Sequence, residues 1–339
     1  MRIFMKATIV KKPGGFDRLE IIDLPEIAPP QPGQVQVQIH ANSLNFHDLV
    51  VARGDFPTED GRILMSDGAG VITAVGEGVS EFRVGDRVVS CFFPTWQDGP
   101  ATLSDFKTVP GDGIDGYAQN VVNVAASALT HAPQNYSHEE AATLTTAGLT
   151  AWRALVVDGK IQAGQTVLVL GTGGVSIFAL QMAKSLGANV IATTSSAAKA
   201  EKLLALGADH VINYREEQQW GDKVLELTQG QGADIVVEVG GPATLAQSIR
   251  AAKVGGHIAL IGILTGYAGE IPTVELMAKQ LNLKGLIVGS RQDQKEMIQA
   301  LETYDWKPVI DHVFPFDQIA TAFKYQEDGQ HFGKICIRH

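Results

Sequence analysis

The run Thr166-Val-Leu-Val-Leu-Gly-Thr-Gly-Gly-Val-Ser176 is the stretch of this sequence best suited to hold a ligand. A short aliphatic segment, Val167 to Leu170, reads as a buried strand. It breaks into Gly171, Thr172, Gly173, Gly174 and Val175 and hands over to a helical pattern through Leu180, Ala183 and Leu186. Strand, glycine turn and helix N-terminus together suit a dinucleotide pyrophosphate, because backbone N–H groups converge on the anion and glycines let it approach. Gly171 fits the tight turn and Gly173 the close approach. The third position of the pattern is Ser176, not Gly or Ala.

The end of the next strand says which dinucleotide. An acidic side chain there would bind the ribose hydroxyls of NAD. This chain has Thr193-Thr-Ser-Ser196 and no carboxylate. Ser195, Ser196, Lys199 and Tyr214 supply hydroxyls and a cation, with Arg215 as a further candidate. That chemistry suits a 2′-phosphate, which a carboxylate would repel. The expected cofactor is NADP(H) in preference to NAD(H).

The elements around these residues divide the chain in two. Strand-like runs cover 7–10, 19–22, 34–40, 68–75 and 82–90, punctuated by glycine and proline turns. The 34–40 run alternates strictly, so Val35, Val37 and Ile39 share one face. Helical spacing appears over 42–54, where Asn45, His47 and Asp48 lie. The 91–116 stretch is too long for an ordinary connection; its Phe92, Phe93 and Trp96 either line a substrate pocket or plug a surface loop. From Ser137-His-Glu-Glu140, which reads as a helix cap, the pattern changes. A long helix to 155 carries Thr146, and strands at 166–170, 190–193, 210–213, 234–239, 257–261 and 286–288 alternate with helices such as 197–206. That is an α/β, doubly wound parallel sheet with its ligand site at the C-terminal edge. A closing strand, 334–338, is expected to return to the N-terminal β unit, making that domain discontinuous.

The 339 residues suffice for two domains, and 45% hydrophobic with 19% charged residues describe a soluble globular protein. A net charge of −10 argues against nucleic acid as a partner. Two cysteines, Cys91 and Cys336, cannot build a disulfide framework or a four-cysteine zinc lobe. No apolar run reaches membrane-spanning length, and the first residues do not read as a signal peptide. A cytoplasmic protein acting on a small molecule is expected, without membrane partners.

The order of features is an N-terminal β unit, an Ala-Ala-rich helix before Gly-Leu-Thr-Ala-Trp152, the glycine turn, Leu-Gly-Ala-Asp-His-Val-Ile-Asn-Tyr214, and a C-terminal Phe-Gly-Lys334. Along essentially its whole length this resembles the medium-chain dehydrogenase/reductase superfamily, on its zinc-independent quinone oxidoreductase-like and alcohol dehydrogenase-like branch. The resemblance implies a GroES-like catalytic domain over 1–128 and 290–339, a Rossmann domain over 129–289, and a homodimer formed through the Rossmann edge near 260–269. It implies further cofactor contacts at Gly240, at Gly262 and Ile263, at Val288, Gly289, Ser290 and Arg291, and at Phe332 and Lys334. Arg291 is expected against a phosphate or the substrate.

The same resemblance permits a comparison with zinc-dependent relatives. Their first ligand cysteine falls at Asn45, their ligand histidine at Ser66 and their third ligand at Thr146. None of these binds zinc as Cys or His does, and His47, His131 and His138 lack partners at ligand spacing, so no zinc is expected. Without a metal, the substrate is either already electrophilic, a quinone or α,β-unsaturated ketone held by Asn45, Thr146 and backbone amides, or it is protonated by a side chain. His47 stands where relatives place a proton-relay hydroxyl, which keeps a reversible alcohol dehydrogenase open. Asp48 resembles a residue that orients its neighbours. A nucleotide-binding structural or sensing protein with little turnover is the third alternative.

Overall fold

A computed structural model describes residues 5–102 and 105–339. Residues 1–4 of the N-terminus read above, and 103–104 of the 91–116 loop, lie outside that description. The chain forms two compact units, Met1–Leu149 with Val288–His339, and Thr150–Ile287.

In the first unit the alternating strand Gln34–Ser43 is the axis. It buries Val35, Val37 and Ile39 in one cluster with Ile72, Val88 and Leu129. It pairs antiparallel with Gly68–Val75 and Val121–Ala125. The closing strand Lys334–Arg338 reaches its far end, with Cys336 opposite Ser43 and Ile337 opposite Asn42. Helix α1, Phe46–Arg53, follows this axial strand and stops at Gly54, whose φ of 85° is left-handed. Leu49 and Val51 of α1 pack with Leu64, Phe323 and Ile337, so α1 is clamped by elements from both ends of the chain.

The domain boundary falls at Leu149/Thr150, not after 128. Segment 129–149 stays with the first unit because Leu129–His131 pairs with Arg87–Ser90 and extends its sheet. Its helix begins as expected: Ser137 accepts from the Glu140 N–H, and Glu140 accepts from the Ser137 N–H. The helix is not uniform, however. An α-turn at His138–Ala142 leads into a π-helical turn at Leu144–Gly148, and a second π-turn covers Arg153–Asp158. Apolar spacing does not separate α from π over so few residues, and π-turns concentrate at functional sites.

The second unit is a six-stranded parallel sheet. Its strands are β1 Thr166–Val169, β2 Asn189–Thr194, β3 His210–Asn213, β4 Ala233–Glu238, β5 Ala252–Leu260 and β6 Asn282–Gly285. Their order is 3-2-1-4-5-6, with the switch point between β1 and β4. Val167, Leu168 and Val169 are fully buried, as a central parallel strand requires. The sixth strand corrects the sequence reading: it runs over 282–285, not 286–288. An edge strand has one neighbour and tolerates Asn282 and Lys284, so it lacks the aliphatic run that marks a central strand. No helix among the described residues is long and apolar enough to cross a membrane.

Candidate active site

The candidate dinucleotide-binding residues of the second unit follow the C-terminal ends of parallel strands, in the turns or, for Lys199, in the first turn of the next helix. Gly171 turns the chain after β1 with φ 73°. Its N–H donates to Thr193 Oγ1 at 3.2 Å, tying the turn to β2. A Cβ at Gly173 would meet nothing within 4 Å, so the space above this residue is open to a ligand. Helix α2, Gly174–Ser185, has no side-chain cap, which leaves its first N–H groups for an anion. Ser176 is explained: its buried hydroxyl donates to the Leu170 carbonyl at 2.6 Å and satisfies the end of the strand.

Ser195 and Ser196 follow β2, and Tyr214 follows the neighbouring β3, so the three lie along one edge. Ser196 caps the helix Ala197–Ala205 by accepting from the Lys199 N–H. Gly240 follows β4, and Gly262 and Ile263 follow β5. At Gly262 a Cβ would lie 1.7 Å from the Val239 carbonyl oxygen, so only glycine fits there. Sequence reasoning missed Glu238 at the end of β4. It is fully buried and accepts from the N–H groups of Gly240 (2.7 Å) and Gly241 (2.9 Å) and from Thr244 Oγ1 (2.6 Å) and Ser248 Oγ. A carboxylate at a strand end that gathers four donors fixes the loop carrying Gly240.

The first unit gathers the catalytic candidates into one buried polar cluster. Asp48, on α1, accepts from the Asn45 N–H at 2.9 Å and the Ser66 N–H at 2.8 Å, so it orients both. Asp67 adjoins Ser66 and is completely buried. Its Oδ1 accepts from Thr146 Oγ1 at 2.6 Å and Ser66 Oγ at 3.0 Å. Lys334, brought in by the closing strand, donates to Asn45 Oδ1 at 2.5 Å and to the Leu44 carbonyl. Burial pushes Asp67 up to about 6, against the opposing pull of Lys334. Burial likewise lowers Lys334, against the pull of Asp67. The backbone carries strain beside the cluster, since Met65 has φ 77°.

Asn45, Ser66 and Thr146, the three positions matched to zinc ligands, thus meet around one carboxylate. The donor set does not fit zinc. It offers an amide and two hydroxyls where Cys or His is needed, and a buried ammonium is already bonded to Asn45.

His47 points elsewhere. Its Nε2 lies 3.3 Å from Asp112 Oδ2, both side chains being largely buried. Three rings surround it, Phe106 at 4.8 Å, Phe92 at 5.6 Å and Phe56 at 6.2 Å between centroids. Asp112 comes from the 91–116 loop and was not anticipated. Phe92, Phe93 and Trp96 are buried, and the carbonyls of Trp96 and Gln97 accept from the N–H groups of Arg291 and Gln292. These aromatics anchor the loop.

Val288, Gly289, Ser290, Arg291, Phe332 and Lys334 belong to the first unit. Val288 holds φ 48°, an outlier for a β-branched residue, and Ser290 caps the helix Arg291–Leu301. One side chain departs from expectation. Arg291 donates to the Leu129 carbonyl at 2.7 Å and to Glu81 at 2.7 Å, so its guanidinium is committed there and not to a phosphate. Lys334 is buried in the polar cluster, bonded to Asn45 and the Leu44 carbonyl. Phe332 is buried.

Comparison with known proteins agrees with this architecture. The alcohol dehydrogenase GroES-like domain family matches residues 31–134, and the zinc-binding dehydrogenase family matches 174–303. A zinc-type alcohol dehydrogenase-like protein of Schizosaccharomyces pombe is 42% identical over 337 residues, 96% of each chain. A solved NAD-dependent alcohol dehydrogenase superposes with a TM-score of 0.89 at 33% identity, covering 98% of this chain and 99% of that one. A crotonyl-CoA carboxylase/reductase, AntE, solved with NADP, gives 0.87 at 25% identity, covering 100% and 97%. With its two-unit fold, its 3-2-1-4-5-6 sheet and these relatives, the chain belongs to the medium-chain dehydrogenase/reductase superfamily of oxidoreductases.

Proposed function

We propose that this protein is a zinc-free, NADP(H)-dependent reductase of quinones or activated carbonyls. The observation that carries this reading is the cluster of Asn45, Ser66, Thr146, Asp67 and Lys334, which supplies hydrogen-bond donors and a buried carboxyl but no Cys or His to hold zinc. The bound nicotinamide supplies the hydride. The chain's residues then have to orient the substrate and handle its oxygen. Thr146 is the partly exposed member of the cluster, and Asp48 holds Asn45 by its backbone N–H. Without a Lewis acid to polarise an ordinary carbonyl, the substrate itself must be electrophilic, which favours quinones and enones.

The absence of a carboxylate at the end of β2, with Ser195, Ser196, Lys199 and Tyr214 in its place, supports NADP(H) over NAD(H). Dissociation constants for NADPH and NADH test this, and tighter NADH binding overturns it. NADPH oxidation against a panel of quinones, enones, aldehydes and ketones tests the activity. Tight NADPH binding with no turnover on any of them would favour a binding or sensing role.

A second reading is a reversible alcohol dehydrogenase in which His47 donates the proton. The Asp112 carboxylate 3.3 Å from its ring favours it, because such a partner holds an imidazole in one orientation. An unchanged turnover number across pH in His47→Ala excludes that role.

We also propose a cytoplasmic homodimer. β6 is the outer strand of its sheet. Around it, Val254, Leu264, Tyr267, Val274 and Met277 are exposed apolar side chains, an edge and patch of the kind that a second copy covers.

A further inference from the structure

Thr146 is partly exposed, and its hydroxyl reaches a completely buried carboxyl group. Its hydroxyl lies 2.6 Å from Asp67 Oδ1, a short O–H···O hydrogen bond along which a proton can pass. Asp67 is completely buried, and its Oδ2 has no hydrogen-bond partner of good geometry among the described residues. As an anion, Asp67 has Oδ1 bonded by Thr146 and Ser66, with the Asn45 side chain also favouring the charge, and Oδ2 without a partner of good geometry among the described residues. That is a poor resting place for a charge. The neighbouring hydroxyl can accommodate the change of state. Ser66 Oγ lies 3.0 Å from Asp67 Oδ1 and 3.5 Å from Asp48 Oδ2, so it can turn to Asp48 when Oδ1 takes a proton.

We propose that Asp67 is the proton store of the reaction and Thr146 its outlet to substrate. This rests on the reductase reading above and assigns its proton. The substrate gains the hydride at carbon and a proton at oxygen. The oxygen's proton comes from the Thr146 hydroxyl as that O–H bond breaks, and a new O–H forms on Thr146 from the Asp67 carboxyl. Asp67 is left as a carboxylate, with Ser66 donating to it and the Lys334 ammonium nearby. It recovers a proton by the reverse path before the next turnover. Asp67 acts through Thr146 and is a positioning and storage residue; Thr146 is the catalytic one.

Burial holds the Asp67 carboxyl at about 6, within the useful range. The charged and titratable groups facing it are Lys334 and Cys336 on the closing strand and Asp48 on α1. Reduction needs Asp67 protonated, so its turnover number falls as pH rises through about 6. Oxidation of the product alcohol or quinol needs the carboxylate and rises over the same interval.

The experiment compares wild type with Thr146→Val, Thr146→Ser and Asp67→Asn. General acid catalysis contributes roughly 100-fold or more. Thr146→Val is therefore expected to lose about 100-fold in kcat with NADPH affinity unchanged. Thr146→Ser should restore most of it, and Asp67→Asn should abolish the pH limb. A Thr146→Val enzyme with wild-type kcat and pH profile overturns the proposal. A second readout needs no turnover and no cofactor: the infrared carbonyl band of a buried, protonated carboxylic acid. It should vanish as pH rises through about 6, be missing in Asp67→Asn, and shift in Thr146→Val. A band unmoved by Thr146→Val, or none that titrates, overturns the proposal even in a protein that reduces no acceptor. Failure of the acceptor panel with the expected band present sinks the reductase reading alone.

Discussion

Replacing Lys334 with Met isolates the role of the buried ammonium. The residue is 4% exposed and its ammonium donates to Asn45 Oδ1 and the Leu44 carbonyl, with the Asp67 and Asp48 carboxylates facing it. Methionine fills similar volume and removes the charge. Breaking a buried ion pair by deleting one partner costs about 3–5 kcal/mol, because the remaining charge is left uncompensated. Here the remaining charge can be neutralised. Asp67 stands at about 6 in the folded protein, above the ordinary 3.8, and Lys334 is what pulls it down. A carboxyl raised on folding contributes stability below its unfolded value and loses it as pH rises through the folded value. In Lys334→Met the folded value is higher still, so the loss continues to higher pH. The destabilisation should therefore be about 3–5 kcal/mol near pH 8. Near pH 5 it should shrink to about 1–3 kcal/mol, the cost of the two orphaned acceptors. Urea unfolding at both pH values measures it, with Lys334→Arg as a charge-preserving control. Equal destabilisation at the two pH values would refute the argument, as would a loss below about 1 kcal/mol at pH 8.

Three further outcomes follow from the geometry. Ser176→Gly, the residue the glycine pattern asks for, should destabilise by about 1–3 kcal/mol because the buried Leu170 carbonyl loses its donor; thermal or urea unfolding reads this. Glu238→Ala leaves the buried N–H groups of Gly240 and Gly241 without acceptors, at about 1–3 kcal/mol each, and should weaken NADPH binding as the loop loosens. Val274→Glu with Met277→Glu should turn a sedimenting dimer into a monomer without unfolding it.

The central strands were readable because they are buried on both faces. Val167–Val169, Val190–Ala192 and Ile235–Val237 appear as aliphatic runs between helical patterns, and that alternation admits few arrangements. β6 was misplaced because Asn282–Gly285 is largely exposed and has no such run, while the aliphatic Leu286, Ile287 and Val288 follow it. The closing strand could be assigned to the first unit because a lone strand must pair, and its partner proved to be Gln34–Ser43. The site was legible only where one residue type announces its chemistry. Asn45, Ser66 and Thr146, the positions matched to zinc-dependent relatives, lie in one polar cluster with Asp48 and Asp67. Asp67 and Asp112 carry no local signal. An aspartate in a loop looks the same whether it is exposed or the centre of a buried network, and only tertiary contact makes the difference. Arg291 misled for the same reason, since its partner Glu81 is 210 residues away.

The closing strand also sets when the cluster can exist. Lys334 bonds to Leu44 across 290 residues. At roughly 5–20 residues per second, a ribosome needs about 15–60 s to cover that distance. Throughout that interval Asp48 and Asp67 have been made and the cation that compensates them has not. Burying them in that interval leaves two carboxylates without their cation unless a proton neutralises Asp67. A chain that stops before Lys334 lacks the group that bonds Asn45 and the Leu44 carbonyl and faces both carboxylates, so the cluster is complete only once the closing strand pairs with Gln34–Ser43.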